Sequence, residues 1–118
     1  MALVLCTGVD PVLMRTRQLL LENAGHTVVP AADEQEIKAV CSKQKVDVAV
    51  IAQNMSPKVK ARVAELVREH CPAARILELY PPFASGALED ADAWLEMPAD
   101  APEELVDAVN SLASRKRN

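Results

Sequence analysis

The stretch VDVAVIA (residues 46–52) is apolar at every position but Asp47. A short, nearly unbroken apolar run of this kind reads as a strand buried on both faces. A strand buried on both faces needs helices on both sides of its sheet, and the rest of the chain supplies them. ALVLCT (2–7), HTVVPA (26–31) and ARILEL (74–79) read as further strands, and DAWLEM (92–97) as a weaker one ending at Pro98. Helical patterns lie between them. Asp10-Pro11 is an N-cap carboxylate followed by a proline in the first turn. Leu13, Thr16, Leu20 and Ala24 then recur at helical spacing, and Gly25 reads as the residue just past the helix end. Asp33 and Glu36 form a capping-box-like pair before Ile37, Val40 and Cys41. Ser56-Pro57 opens a helix with Val59, Val63, Leu66 and Val67 inside. Asp100, Pro102 and Glu103 open a last one, with Leu105, Ala108, Val109 and Leu112 as its inner face. Strands alternating with helices imply an α/β fold, a parallel sheet with right-handed crossovers. Ligands of such sheets sit beyond the C-terminal strand ends.

A length of 118 residues predicts one domain over 1–118. Aromatic residues make up only 3% of the chain, so the core must be aliphatic. The net charge of −4 argues against nucleic-acid binding, which needs a basic face. The basic run SRKRN (114–118) reads as a solvated helix end or the start of a linker. No leader with a basic and then an apolar region stands at the N-terminus, and no run is long enough to span a membrane. The three cysteines, Cys6, Cys41 and Cys71, are odd in number and widely separated, which predicts reduced thiols in a cytoplasmic protein. Zinc is not expected, because no two cysteines have ligand spacing. His26 and His70 fall at element ends and read as exposed polar residues. Asp33, Glu34 and Glu36 read as a solvated helix start, and Glu89, Asp90 and Asp92 as an acidic surface loop.

In order and spacing these pieces resemble the receiver domain of bacterial response regulators, the CheY-like domain. The segment from Pro11 through Gly25 and on to Val40 resembles the family's first helix, second strand and second helix. DVAVIAQNMSP resembles its third strand and following loop, with Met55 in place and Ser56 where proline is usual. ADAWLEMP resembles its fifth strand, with Met97 and Pro98 at the family's Lys-Pro pair. The resemblance implies a flavodoxin-like three-layer fold, a five-stranded parallel sheet in the order 2-1-3-4-5. It also implies phosphoryl transfer to an aspartate, assisted by Mg²⁺ on an acidic pair, a hydroxyl and a lysine.

Those positions hold other residues here. The acidic pair falls on Gly8 and Val9, with Asp10 the nearest acid; the phospho-acceptor falls on Ala52; the hydroxyl position falls on Tyr80 and the lysine on Met97. None offers the required group, and only the neighbouring Pro98 matches. The expectation is therefore a degenerate receiver without catalysis, metal or cofactor. It would act by contact with another signalling protein or with itself. A second departure lies between Tyr80 and Met97, where PPFASGALED (81–90) is about a helical turn short and carries two prolines and Gly86. The fourth helix should be short, displaced or absent. Tyr80, Phe83 and Trp94 would then offer a partner surface, or Tyr80 would fill the vacated pocket, with Met55 and Met97 packed into the same space.

One enzymatic reading competes. Cys6 precedes a loop, as in low-molecular-weight tyrosine phosphatases and sugar-phosphotransferase IIB domains. A phosphatase loop needs an arginine where Val12 stands, and Asp10 would repel a phosphate in either. The bland alternative for Cys6 is a small apolar residue in a strand.

Overall fold

The computed structural model describes residues 2–84, 86–98 and 102–114. Strands β1 (Leu3–Thr7), β2 (Thr27–Ala31), β3 (Val48–Ile51), β4 (Arg75–Tyr80) and β5 (Ala93–Glu96) alternate with helices α1 (Pro11–Asn23), α2 (Glu34–Lys43) and α3 (Pro57–His70), and α4 (Glu103–Ser114) closes the chain. The sheet is wholly parallel with the order β2-β1-β3-β4-β5. This is the flavodoxin-like order that the family resemblance implied.

Two apolar clusters form, one on each face, and the period of two along the strands divides them. Leu5, Ala49, Ile51 and Ile76 meet Ile37 of α2 and Val63, Leu66 and Val67 of α3. Val4, Cys6, Val48, Val50, Leu77 and Leu79 meet Leu21 of α1 and Leu105, Val109 and Leu112 of α4. Local chemistry sets the helix starts. Asp10 accepts from the Val12 and Leu13 amides, Asp33 from the Glu36 amide and Ser56 from the Val59 amide. Gly25 has φ 97°, the left-handed conformation that glycine adopts without strain after a helix. The Asp100 start of α4 lies outside the described residues.

Several sequence expectations need correction. The inner face of α1 carries Arg17 and Leu21, whereas Thr16 and Ala24 are exposed. The run Leu19-Leu20-Leu21 hid the helix phase, and a buried arginine cannot be read from apolar spacing. In α3, Val59 is exposed and Lys60 points inward instead. Its ammonium has partners there, described below. His26 is buried, not exposed: Nδ1 accepts from the Ala2 amide at 3.1 Å, which leaves Nε2 to donate to Asn110 Oδ1 at 2.6 Å. His70 is exposed at the end of α3.

The cysteine expectation fails as well. Cys41 and Cys71 form a disulfide between the C-terminal ends of α2 and α3, with Cα atoms 5.4 Å apart across a sequence separation of 30. Only Cys6 is free. The parallel packing of α2 against α3 brings the two thiols together, and no local spacing signals that.

Among the described residues no helix stands between β4 and β5. Among the described residues between Tyr80 and Ala93 the chain forms turns. Two apolar side chains of this loop, Leu88 and Ala91, are buried in the α3-side cluster and supply the packing that a helix would bring. The loop is held by Glu78 of β4, whose side chain is fully buried. One carboxylate oxygen accepts from the Leu88 amide at 2.8 Å; the other accepts from the Ala87 amide at 2.7 Å and from Lys60 Nζ at 2.8 Å. Lys60 also donates to the Leu79 carbonyl at 2.7 Å. Trp94 Nε1 donates to the Leu88 carbonyl at 2.9 Å. Gly86 is tightly enclosed: a β-carbon there would lie 2.4 Å from Trp94 Cδ1.

Candidate functional site

The C-terminal ends of β1 and β3 bring Gly8 and Ala52 together at the top of the sheet. A β-carbon on Gly8 would lie 3.2 Å from Ala52 Cβ and 3.3 Å from Met14 Cγ. Ala52 is 1% exposed, so this spot is closed to solvent by carbon atoms. Met14 of α1 lies against Gly8, a role that neither its spacing nor its type revealed. Tyr80 does not line this spot; it borders an open groove with Ala84, Gly86, Leu88, Trp94 and Glu96. Met55 and Met97 also part ways, because Met55 packs on the α2/α3 side of the sheet and Met97 on the α1/α4 side. Val9 projects outward and is 62% exposed.

Asp10, the nearest acid, is spent on the first turn of α1: Oδ1 accepts from Val12 N at 2.9 Å and Leu13 N at 3.3 Å. Thr7 is buried and its hydroxyl donates to the Val50 carbonyl at 2.9 Å. Among the described residues no three His, Cys, Asp or Glu side chains converge as a metal site would need. The acidic residues of the 89–92 loop have structural partners. Asp90 pairs with Arg68 at 2.8 Å, and Asp92 Oδ2 accepts from the Ile76 amide at 2.7 Å. At the start of α2, Glu34 pairs with Arg62 on the surface at 2.7 Å.

The cysteine alternative loses its chemistry here. Cys6 is 2% exposed inside the α1/α4-side cluster. Burial pushes its thiol up to about 12, with Arg17 pulling only partly the other way. A neutral, enclosed thiol is neither nucleophile nor phosphate carrier.

Two hollows flank the closed spot. One of about 370 Å³ lies between the sheet edge and α2/α3, lined by Gly8, Val9, Met55 and Val59. The other, about 270 Å³, lies between α1 and the start of α4, lined by Leu20, Met97, Pro98 and Leu105. Arg17 faces it. Its Nη2 donates to Gln53 Oε1 at 2.5 Å. The Met97–Pro98 peptide bond is cis.

The arrangement of sheet and helices is the CheY-like receiver fold. Chemotaxis protein CheY4 of Vibrio cholerae superposes with a TM-score of 0.79 at 26% identity, over 95% of this chain and 98% of that one. The receiver domain of Francisella response regulator 1452 superposes with a TM-score of 0.80 at 21% identity, over 99% and 100%. A CheY-like receiver domain protein from Methanospirillum hungatei gives 0.79 at 19% identity, over 96% and 94%. No protein-family model matches the sequence. No curated protein matches it either. Among the described residues no helix is long and apolar enough to cross a membrane.

Proposed function

We propose that this chain is a receiver-like signalling module that works by protein–protein contact, without aspartyl phosphorylation, Mg²⁺ or another cofactor. The observation that carries the reading is the apposition of Gly8 and Ala52 where a receiver places its metal-binding acid and its acceptor. Neither supplies an oxygen, and Met14 occupies the space beside them. Met97 carries no charge at the position of the phosphate-sensing lysine. A receiver fold without these groups has no means to take a phosphoryl group or to report one. The partner surface is formed by Tyr80, Phe83 and Trp94, beside the loop that replaces the fourth helix. Phe83 is 90% exposed and Trp94 44% exposed, in a chain whose one other Phe, Tyr or Trp is Tyr80. Exposed aromatic side chains are the residues that anchor interfaces. The partner is another signalling protein or a second copy of this chain.

Incubation with acetyl phosphate and Mg²⁺, followed by intact-mass measurement on wild type and Cys6→Ser, tests the first half. Neither protein should gain a phosphoryl adduct. An adduct on both proteins would mean that an acid of this chain is a live acceptor, and the reading would fall.

A further inference from the structure

We propose that the hollow between α1 and α4 binds a small organic carboxylate, with Arg17 holding its head and the apolar wall holding its body. This does not rest on the signalling reading, because it draws on Arg17 and on the wall of this hollow alone.

The argument starts with Arg17. It is 5% exposed, and burial lowers the affinity of its guanidinium for its proton, a cost only partly offset by Cys6 and Asp10. A buried guanidinium is normally matched by a carboxylate. Here its partner among the described residues is the neutral Gln53 amide at 2.5 Å. Cys6, held as a neutral thiol, adds no negative charge, and Asp10 is engaged as the α1 cap. A guanidinium has five N–H donors in a planar fork, and the Gln53 bond uses one. The side chain borders a hollow whose wall, among the described residues, holds no acid.

The remaining wall selects the ligand body. Leu13, Leu20, Met97 and Leu105 make it aliphatic, and the Thr16 hydroxyl is turned to its own helix, donating to the Val12 carbonyl at 3.0 Å. At about 270 Å³ the hollow sits just below the roughly 300–1,000 Å³ range of small-molecule sites. A compact apolar acid, with a carboxylate able to take two N–H bonds, fits both ends. A large polar anion such as a nucleotide fits neither.

Benzoate, its neutral isostere benzamide, and acetate are the probes, titrated against the ¹⁵N-labelled whole chain by NMR. Benzoate should bind saturably, with shifts grouped at Arg17, Leu20, Gln53 and Leu105. Benzamide should bind at least tenfold more weakly for want of charge, and acetate likewise for want of body. Arg17→Met should abolish the preference for benzoate over benzamide. If that variant does not fold, Arg17→Lys replaces it; the charge survives there but the fork does not, so the preference should shrink. The proposal is overturned if benzoate and benzamide bind equally, if none of the probes saturates, or if the shifts fall outside this hollow.

Discussion

At the scale of single residues, the groups that most shape this molecule are polar side chains in apolar places. Glu78 is one. Burial pushes its carboxyl up, but the Lys60 ammonium and the Ala87 and Leu88 amides together pull it further down, below the ordinary carboxylate value. A depressed folded value means that the contribution is complete above the unfolded carboxylate range near pH 4.3. It is lost as pH falls through the folded value. Glu78→Gln should therefore cost about 3 kcal/mol at pH 7, because it leaves Lys60 buried without a counter-charge. The gap to wild type should narrow below about pH 4. Urea midpoints between pH 7 and pH 2.5 measure this; a gap independent of pH would show that the ion pair is not its source. Cys6 gives a second prediction. With the thiol raised to about 12 and shielded, it should resist iodoacetamide in the native protein at pH 8 and react fully in denaturant, as read by mass. None of these buried polar roles was legible in the sequence. Lys60 and Glu78 are 18 residues apart and Arg17 and Gln53 are 36 apart, and each pair forms only after the sheet assembles. Without a partner in view, such residues read as solvent-facing.

At the scale of elements the sequence was far more informative, because caps and periods are local. Asp10, Asp33, Ser56 and Gly25 mark their helix ends through contacts within three residues, and the structure uses each as such. The loss of the fourth helix followed from two prolines and a glycine. How the loop holds itself did not, since the Glu78 clasp reaches across 9 and 10 residues. The Cys41–Cys71 link was also hidden. It joins α2 and α3 across a separation of 30 residues, and a loop of that length is worth about 3–4 kcal/mol in the chain-entropy picture. Reduction with dithiothreitol should lower wild-type stability by about 3 kcal/mol. The double variant Cys41→Ser, Cys71→Ser should start near the reduced value and be unmoved by reductant. Equal midpoints for oxidised and reduced wild type would mean that the helix pair is set by its apolar contacts alone.

At the scale of the whole molecule, the question is how far this receiver fold stands from receiver chemistry. The resemblance assigned the receiver's working positions to Gly8, Val9, Ala52, Tyr80 and Met97; it could not show that carbon atoms fill the space between Gly8 and Ala52. That filling decides what a single reversion does. Ala52→Asp would put a carboxylate at a spot that is 1% exposed, against Gly8 and beside Met14. Burial would raise that carboxyl above its ordinary value and keep it a poor nucleophile. The variant should lose at least about 2 kcal/mol at pH 7 and less at pH 4, since a raised folded value destabilises only where the unfolded carboxyl is ionised. It should gain no phosphoryl adduct from acetyl phosphate and Mg²⁺. Gly8→Asp made alongside would bring a second acid but would also press on Met14, so restoring the metal site requires repacking α1 as well. Intact mass and urea midpoints at the two pH values read both effects. An Ala52→Asp protein that folds well and takes a phosphoryl group would show that Gly8, Val9 and Met97 do not disable the site, and that one carboxylate separates this chain from a working receiver.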